Sequence, residues 1–174
     1  RHCSGCDAQL TLWNEEDLVQ RLVTLSARES VEVYALLVRA ALGSHRTLLA
    51  SLYSSFGADN VRVDGRTSKT SRRLRSSAPH DIAVRLARLA EPVKLKQARE
   101  LMSIGRSLGT DLLEVSGRGE IQRLALSPVC AECGCWFDEL LPVHFHMSCR
   151  YCAGKGCGRC GETGLHEQAA AVRW

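Results

Sequence analysis

Eight of the nine cysteines fall into four Cys-x-x-Cys pairs: Cys3/Cys6, Cys130/Cys133, Cys149/Cys152 and Cys157/Cys160. Two thiolates held two residues apart on a tight turn supply half of the tetrahedral shell that zinc takes from a protein. Two such knuckles close one site, so four pairs predict two zinc sites of four cysteines each. Gly134, Gly154 and Gly161 follow at or just after three of the pairs, and glycine permits the positive φ that such turns need. Local pairing would join Cys130/Cys133 with Cys149/Cys152, because a hairpin of 15 intervening residues returns the chain to its start. Cys3/Cys6 and Cys157/Cys160 would then join the two ends of the chain. Cys135 has no partner in this scheme and is expected to be a small buried residue. His144 and His146 are expected to pack or hydrogen-bond rather than ligate. Closed four-cysteine sites hold no open position for water, so their role is structural; in finger peptides such a site binds with about 10–16 kcal/mol of apparent free energy.

Disulfides are the competing use of cysteine. They need an oxidising compartment, whereas an odd count, repeated two-residue spacings and no secretory leader favour metal in a reducing cytoplasm. The chain opens Arg-His-Cys, without Met, which suggests a cut from a longer protein. No apolar run is long enough to cross a membrane. The 174 residues allow one ordinary domain and a small satellite. A hydrophobic content of 45% and a charged content of 24% are those of a globular chain. Aromatics make up only 5%, so the core must rest on Leu, Val and Ala. A net charge of +4 tolerates nucleic acid as a partner without demanding it.

The elements that must position the cysteines lie between them. Asn14 caps a predicted helix over 14–26, with Asp17 completing a capping box and Leu18, Val19, Leu22 and Val23 on one face. Val31–Leu37 is β-branched and predicts a strand. A second helix is expected over 44–56, capped by Ser44 and stopped by Gly57, and a short strand over 60–64. Asp81–Leu89 alternates and predicts a strand, although the same run could be helical. Leu95, Ala98, Leu101, Ile104 and Leu108 share a face of a helix over 94–108. Segments 111–115 and 120–126 flank Ser-Gly-Arg-Gly as a hairpin. The expected class is α+β: helices on a small mixed sheet over residues 13–127, inserted into a four-cysteine zinc-module base formed by 1–12 and 128–174.

Residues 66–77 are basic and rich in Ser and Thr. Arg66, Lys69, Arg72, Arg73 and Arg75 could neutralise phosphates. No aromatic residue interleaves to stack on bases, so a solvated loop is the competing expectation.

The residues together resemble the UvrA family, the A subunits of the UvrABC excinuclease. Cys130, Cys133, Gly134, Glu139, Leu140, Pro142, Phe145, Cys149, Cys152, Gly154 and Gly156 match that family's Cys-Pro-x-Cys-Gly, Glu-Leu-x-Pro, Phe-Ser-Phe-Asn and Cys-Pro-x-Cys-x-Gly-x-Gly order, with the Phe-Ser-Phe-Asn part shortened. Cys157, Cys160, Thr163, Leu165 and Ala169–Val172 are similar to its last Cys-x-x-Cys segment. Residues 36–64, ending Val-Arg-Val-Asp, and His80-Asp81-Ile82 resemble further pieces in the same order. The resemblance implies that the inserted unit docks a UvrB-like protein, with Arg39 and Arg88 as contacts to an acidic surface, and that the full subunit meets DNA. It also implies that ATP belongs to the full-length subunit: the chain has no G-x-x-x-x-G-K-[ST] loop, and in the family that loop precedes, and the ABC signature follows, the part matched here. Where the family carries a long insertion, Cys152 and Cys157 are separated only by Ala-Gly-Lys-Gly.

Cys149-Arg-Tyr-Cys-Ala-Gly-Lys-Gly is also similar to the repeat of Hsp40-like co-chaperones, which implies binding of unfolded clients as the alternative. Those repeats are contiguous, and here a large unit separates the first pair from the rest. A thiol enzyme would need an exposed thiolate of low pKa and would hold no stoichiometric zinc.

Overall fold

A computed structural model describes all residues except 1, 4, 11–12, 68–72, 119, 138–139, 171 and 173–174. The chain runs α1 (Glu15–Arg28), β1 (Val31–Leu42), α2 (Arg46–Phe56), β2 (Val61–Val63), β3 (Arg66–Thr67), β4 (Pro79–Leu89), α3 (Leu95–Ser107), β5 (Leu112–Ser116), β6 (Ile121–Ala125) and a single turn, α4 (Glu167–Ala170). The six strands form one sheet in the order β3-β2-β4-β1-β5-β6. Every pairing is antiparallel. The class is α+β, and the sheet is antiparallel throughout where a mixed one was expected.

Alternation along the strands divides the two faces. Val33, Ala35, Val84, Leu113, Val115 and Leu124 meet Leu18, Val19 and Leu22 of α1 and Ala98, Leu101 and Met102 of α3. On the same face, Leu49 and Leu52 of α2 pack on Val61, Val63 and Ile82. Ion pairs from Arg99 to Glu16 (2.6 Å) and from Arg106 to Glu15 (2.8 Å) tie α3 to α1. The other face carries Tyr34, Leu36, Ala83 and Leu112, with Val129 folding back onto one end. Here Glu114, buried, takes Arg62 and Arg123 together, and the Arg62 guanidinium lies 3.9 Å over the Tyr34 ring. Removing Glu114 would leave a buried guanidinium uncompensated, a change that typically costs about 3–5 kcal/mol.

The capping box forms as expected: Asp17 N donates to Asn14 Oδ1 at 2.9 Å, and Asn14 N to Asp17 Oδ2 at 3.4 Å. At α2 the expectation fails. His45, not Ser44, holds the cap position, in a left-handed conformation and with no side-chain cap. β1 runs five residues past its expected end at Leu37. Irregular register around Val38–Ala41 accommodates Ala40 at φ 48°, and Asp81 Oδ1 accepts the displaced Ala40 N–H at 2.6 Å. Arg66 lies in β3, paired with Val63. Arg73 and Arg75 are exposed, Leu74 between them packs against the α2 cluster, and Lys69 and Arg72 lie outside the described residues.

Candidate metal centres

The eight paired cysteines gather into two groups of four, with all sulfurs in each group within 4.8 Å of one another. The grouping corrects the expected pairing. Cys3/Cys6 joins Cys130/Cys133, and Cys149/Cys152 joins Cys157/Cys160. In the first group Cys3 Sγ lies 3.5 Å from Cys133 Sγ, and Cys6 Sγ 3.7 Å from Cys130 Sγ. In the second the spacings are 4.0 Å (Cys149–Cys157), 3.9 Å (Cys152–Cys160) and 3.8 Å (Cys157–Cys160). A tetrahedron with zinc–sulfur bonds of about 2.3 Å has edges of about 3.8 Å. A disulfide would need about 2.0 Å, and all nine cysteines are free thiols. Both groups could therefore hold zinc.

The local backbone explains how each pair is presented. In all four knuckles the residue after the second cysteine has positive φ: Asp7 (60°), Gly134 (75°), Ala153 (49°) and Gly161 (56°). In three of them the same residue donates its N–H to the carbonyl of the first cysteine, at 2.9 Å from Asp7, 2.8 Å from Gly134 and 2.8 Å from Ala153. In the fourth, Glu162 N donates to Cys157 O at 2.9 Å. The turn thus reverses the chain and aims both sulfurs the same way. Isolated bridges close the hairpins around them: His2 with Gln9, Val129 with Trp136, and Ser148 with Leu165. The first two are equivalent, each running from the residue before the first cysteine to the third residue after the second.

One buried thiol anchors each side of both groups: Cys3 at 5% exposure, Cys130 at 1%, Cys149 at 1% and Cys160 at 0%. Crowding splits their acidities. Burial pushes the Cys133 thiol up to about 12 and the Cys152 thiol up to about 11. Burial also opposes ionisation of Cys3 and Cys160, but main-chain donors outweigh it. Gly5 and Cys6 bring Cys3 down to about 7, and Cys157 and Gly164 bring Cys160 down to about 6. Four thiolates in such a space at neutral pH require a cation between them.

Cys135 is exposed rather than buried. It stands beside the first group: a Cβ on Gly5 would come within 2.8 Å of its sulfur, so a larger residue there would require the Cys135 side chain to shift. His144 and His146 belong to neither group. His144 stacks on His166 with centroids 4.8 Å apart and accepts Leu141 N–H at Nδ1 (3.1 Å). Arg39 turns inward: its guanidinium bonds Asp81 and the Glu132 carbonyl inside the Cys130–Cys133 knuckle. Arg88 is 67% exposed and donates to Glu32 at 2.7 Å. Sequence reading took Arg39 for a partner contact and gave neither Asp81 nor Asp7 a role at the knuckles. The equal spacing of the hairpins at His2–Gln9 and Val129–Trp136 was the available signal that these two knuckles form a pair.

No protein-family model matches the chain. Curated relatives do. The chain is 27% identical over 169 residues to UvrABC system protein A of Clostridium perfringens, covering 94% of this chain and 18% of the relative. It is 24% identical over 169 residues to that of Clostridium acetobutylicum (89% and 18%), and 21% identical over 166 residues to that of Clostridium tetani (89% and 17%). The chain thus spans less than a fifth of the length of these relatives. Over nearly its whole length the chain is therefore similar to one segment of UvrABC system protein A in these three relatives.

Proposed function

We propose that the chain is the zinc-stabilised protein-interaction part of a UvrA-like subunit that recognises damaged DNA in nucleotide excision repair, and that its sheet-and-helix unit docks a UvrB-like protein. The division follows the cysteines: 1–12 and 128–174 form the zinc base, and 13–127 the docking unit. The observation that carries this reading is the first tetrad. Its two knuckles lie immediately before and after the unit, so one ion clamps both of the unit's connections and presents it as a rigid outgrowth. Zinc in both tetrads is structural, since four thiolates leave no open coordination position. ATP use and DNA recognition belong to the full-length subunit.

Arg88 is the better placed of the two expected contacts, because Arg39 is committed to the knuckle. A rim arginine mainly sets association rate and specificity. Calorimetric titration of the zinc-loaded chain with a UvrB-like protein should give a saturable complex, weakened when Arg88→Glu reverses the charge. If no complex forms, and the chain instead suppresses aggregation of an unfolded client, the Hsp40-like alternative replaces this reading.

A further inference from the structure

The basic loop at 66–75 has cations but no rings. The second tetrad has both. Tyr151, between Cys149 and Cys152, is 49% exposed. The guanidinium of Arg159 lies 4.2 Å from its ring centroid, and that of Arg150 lies 4.9 Å away. Lys155 is exposed on the same knuckle pair. Arg159 also lines a cleft of about 630 Å³ between the two tetrads, where Trp136 stands 65% exposed on the wall. Arginine and aromatic side chains therefore follow one another from Trp136 past Arg159 and Tyr151 to Arg150.

We propose that this face grips single-stranded DNA, with Tyr151 and Trp136 as stacking surfaces and Arg150, Lys155 and Arg159 on the phosphates. Aromatic rings interleaved with cations are what a flexible strand with unstacked bases requires. Residues 149–161 contain no carboxylate. Four thiolates around one divalent ion carry a charge of about −2, which Arg159 and Lys155 balance while Glu167 neutralises Arg150. Glu167 holds Arg150 at 2.6 Å. That arginine must exchange a carboxylate for a phosphate, which makes Arg159 and Lys155 the principal charged contacts. A duplex keeps its bases stacked and offers Tyr151 no face, so it binds more weakly. The inference goes beyond the docking of a UvrB-like protein and does not depend on it.

The test is fluorescence anisotropy of a labelled oligothymidine with the zinc-loaded chain, repeated at increasing salt. Three neutralised phosphates predict a slope of about −2 in log K against log salt for a single strand. Tyr151→Ala should weaken binding about five-fold or more, and Tyr151→Phe should retain it. Arg159→Gln and Lys155→Gln should each make the slope shallower by about 0.7. Arg73→Gln with Arg75→Gln should leave binding unchanged. Zinc content is measured on each variant; should Tyr151→Ala lose metal, the salt slopes of Arg159→Gln and Lys155→Gln decide. Absence of binding overturns the proposal, as does binding that survives Tyr151→Ala and Arg159→Gln but falls with the Arg73 and Arg75 changes. Partner docking is measured without DNA, so either failure can be recognised separately.

Discussion

Arg39 Nε donates to the main-chain carbonyl of Glu132 at 3.0 Å, inside the Cys130–Cys133 knuckle. The same guanidinium pairs with Asp81 on β4, and Asp81 also accepts the N–H of Ala40 at 2.6 Å. Asp64 in turn accepts Asp81 N–H at 2.9 Å. One line of charged hydrogen bonds thus runs from the β2–β3 turn through β4 and the irregular end of β1 to the Cys130–Cys133 knuckle.

Arg39→Ala should therefore lower the stability of the zinc-loaded chain by about 1–3 kcal/mol, the range for hydrogen bonds to charged groups. It should also loosen metal at the first tetrad more than at the second. Arg39→Lys should recover only part, because an ammonium cannot span carbonyl and carboxylate as the planar fork does. Urea denaturation with a chromogenic zinc chelator reads both effects.

His80 supplies a pH signature. Its Nδ1 lies 2.9 Å from Asp64 Oδ2, and its Nε2 lies 2.9 Å from the Arg75 carbonyl. Both partners are acceptors, so the site favours the protonated ring, which can donate from both nitrogens. The bond to Asp64, then that to Arg75, raise its pKa above 6.5. A raised folded-state pKa contributes stability that is complete below about 6.5 and is lost as pH rises through the folded value. The Tm of the zinc-loaded chain should fall as pH increases from 6.5, and Asp64→Asn should flatten that dependence. An unchanged slope in the variant would remove His80 as its source.

Ala153 occupies a left-handed position, φ 49°, that its counterparts Gly134 and Gly161 fill without a Cβ. Left-handed backbone costs an ordinary residue about 1–2 kcal/mol, part of which glycine returns through its larger unfolded-state entropy. Ala153→Gly should raise stability by about 0.5–1 kcal/mol net and slow zinc loss from the second tetrad, measured by competition with a chelator.

Much of the scaffold was legible because local patterns and tertiary packing agree. Asn14 and Asp17 cap α1 as their spacing implies, and Leu95, Ala98 and Leu101 mark α3. Sequence-local rules failed where long-range contacts decide. β1 continues past Leu37 because Asp81, 41 residues on from Ala40, accepts the N–H freed at the irregularity. Ser44 loses the cap to His45, which adopts positive φ at the end of the strand–helix connection. The four cysteine pairs were visible, but their partnership was not. Spacing alone favoured the 15-residue hairpin, whereas four residues between Cys152 and Cys157 suffice to turn one knuckle onto the next. The shorter loop costs less closure entropy, and it leaves the knuckles at the two ends of the α+β unit to meet each other.

The most direct test of that clamp is the zinc content of a chain in which Cys3, Cys6, Cys130 and Cys133 are all changed to Ser, set against the unaltered chain, by mass spectrometry of the intact metal complex. The pairing seen here predicts two ions in the unaltered chain and one in the variant, held by Cys149, Cys152, Cys157 and Cys160. A variant that holds no zinc, as crossed pairing of the knuckles requires, would contradict it.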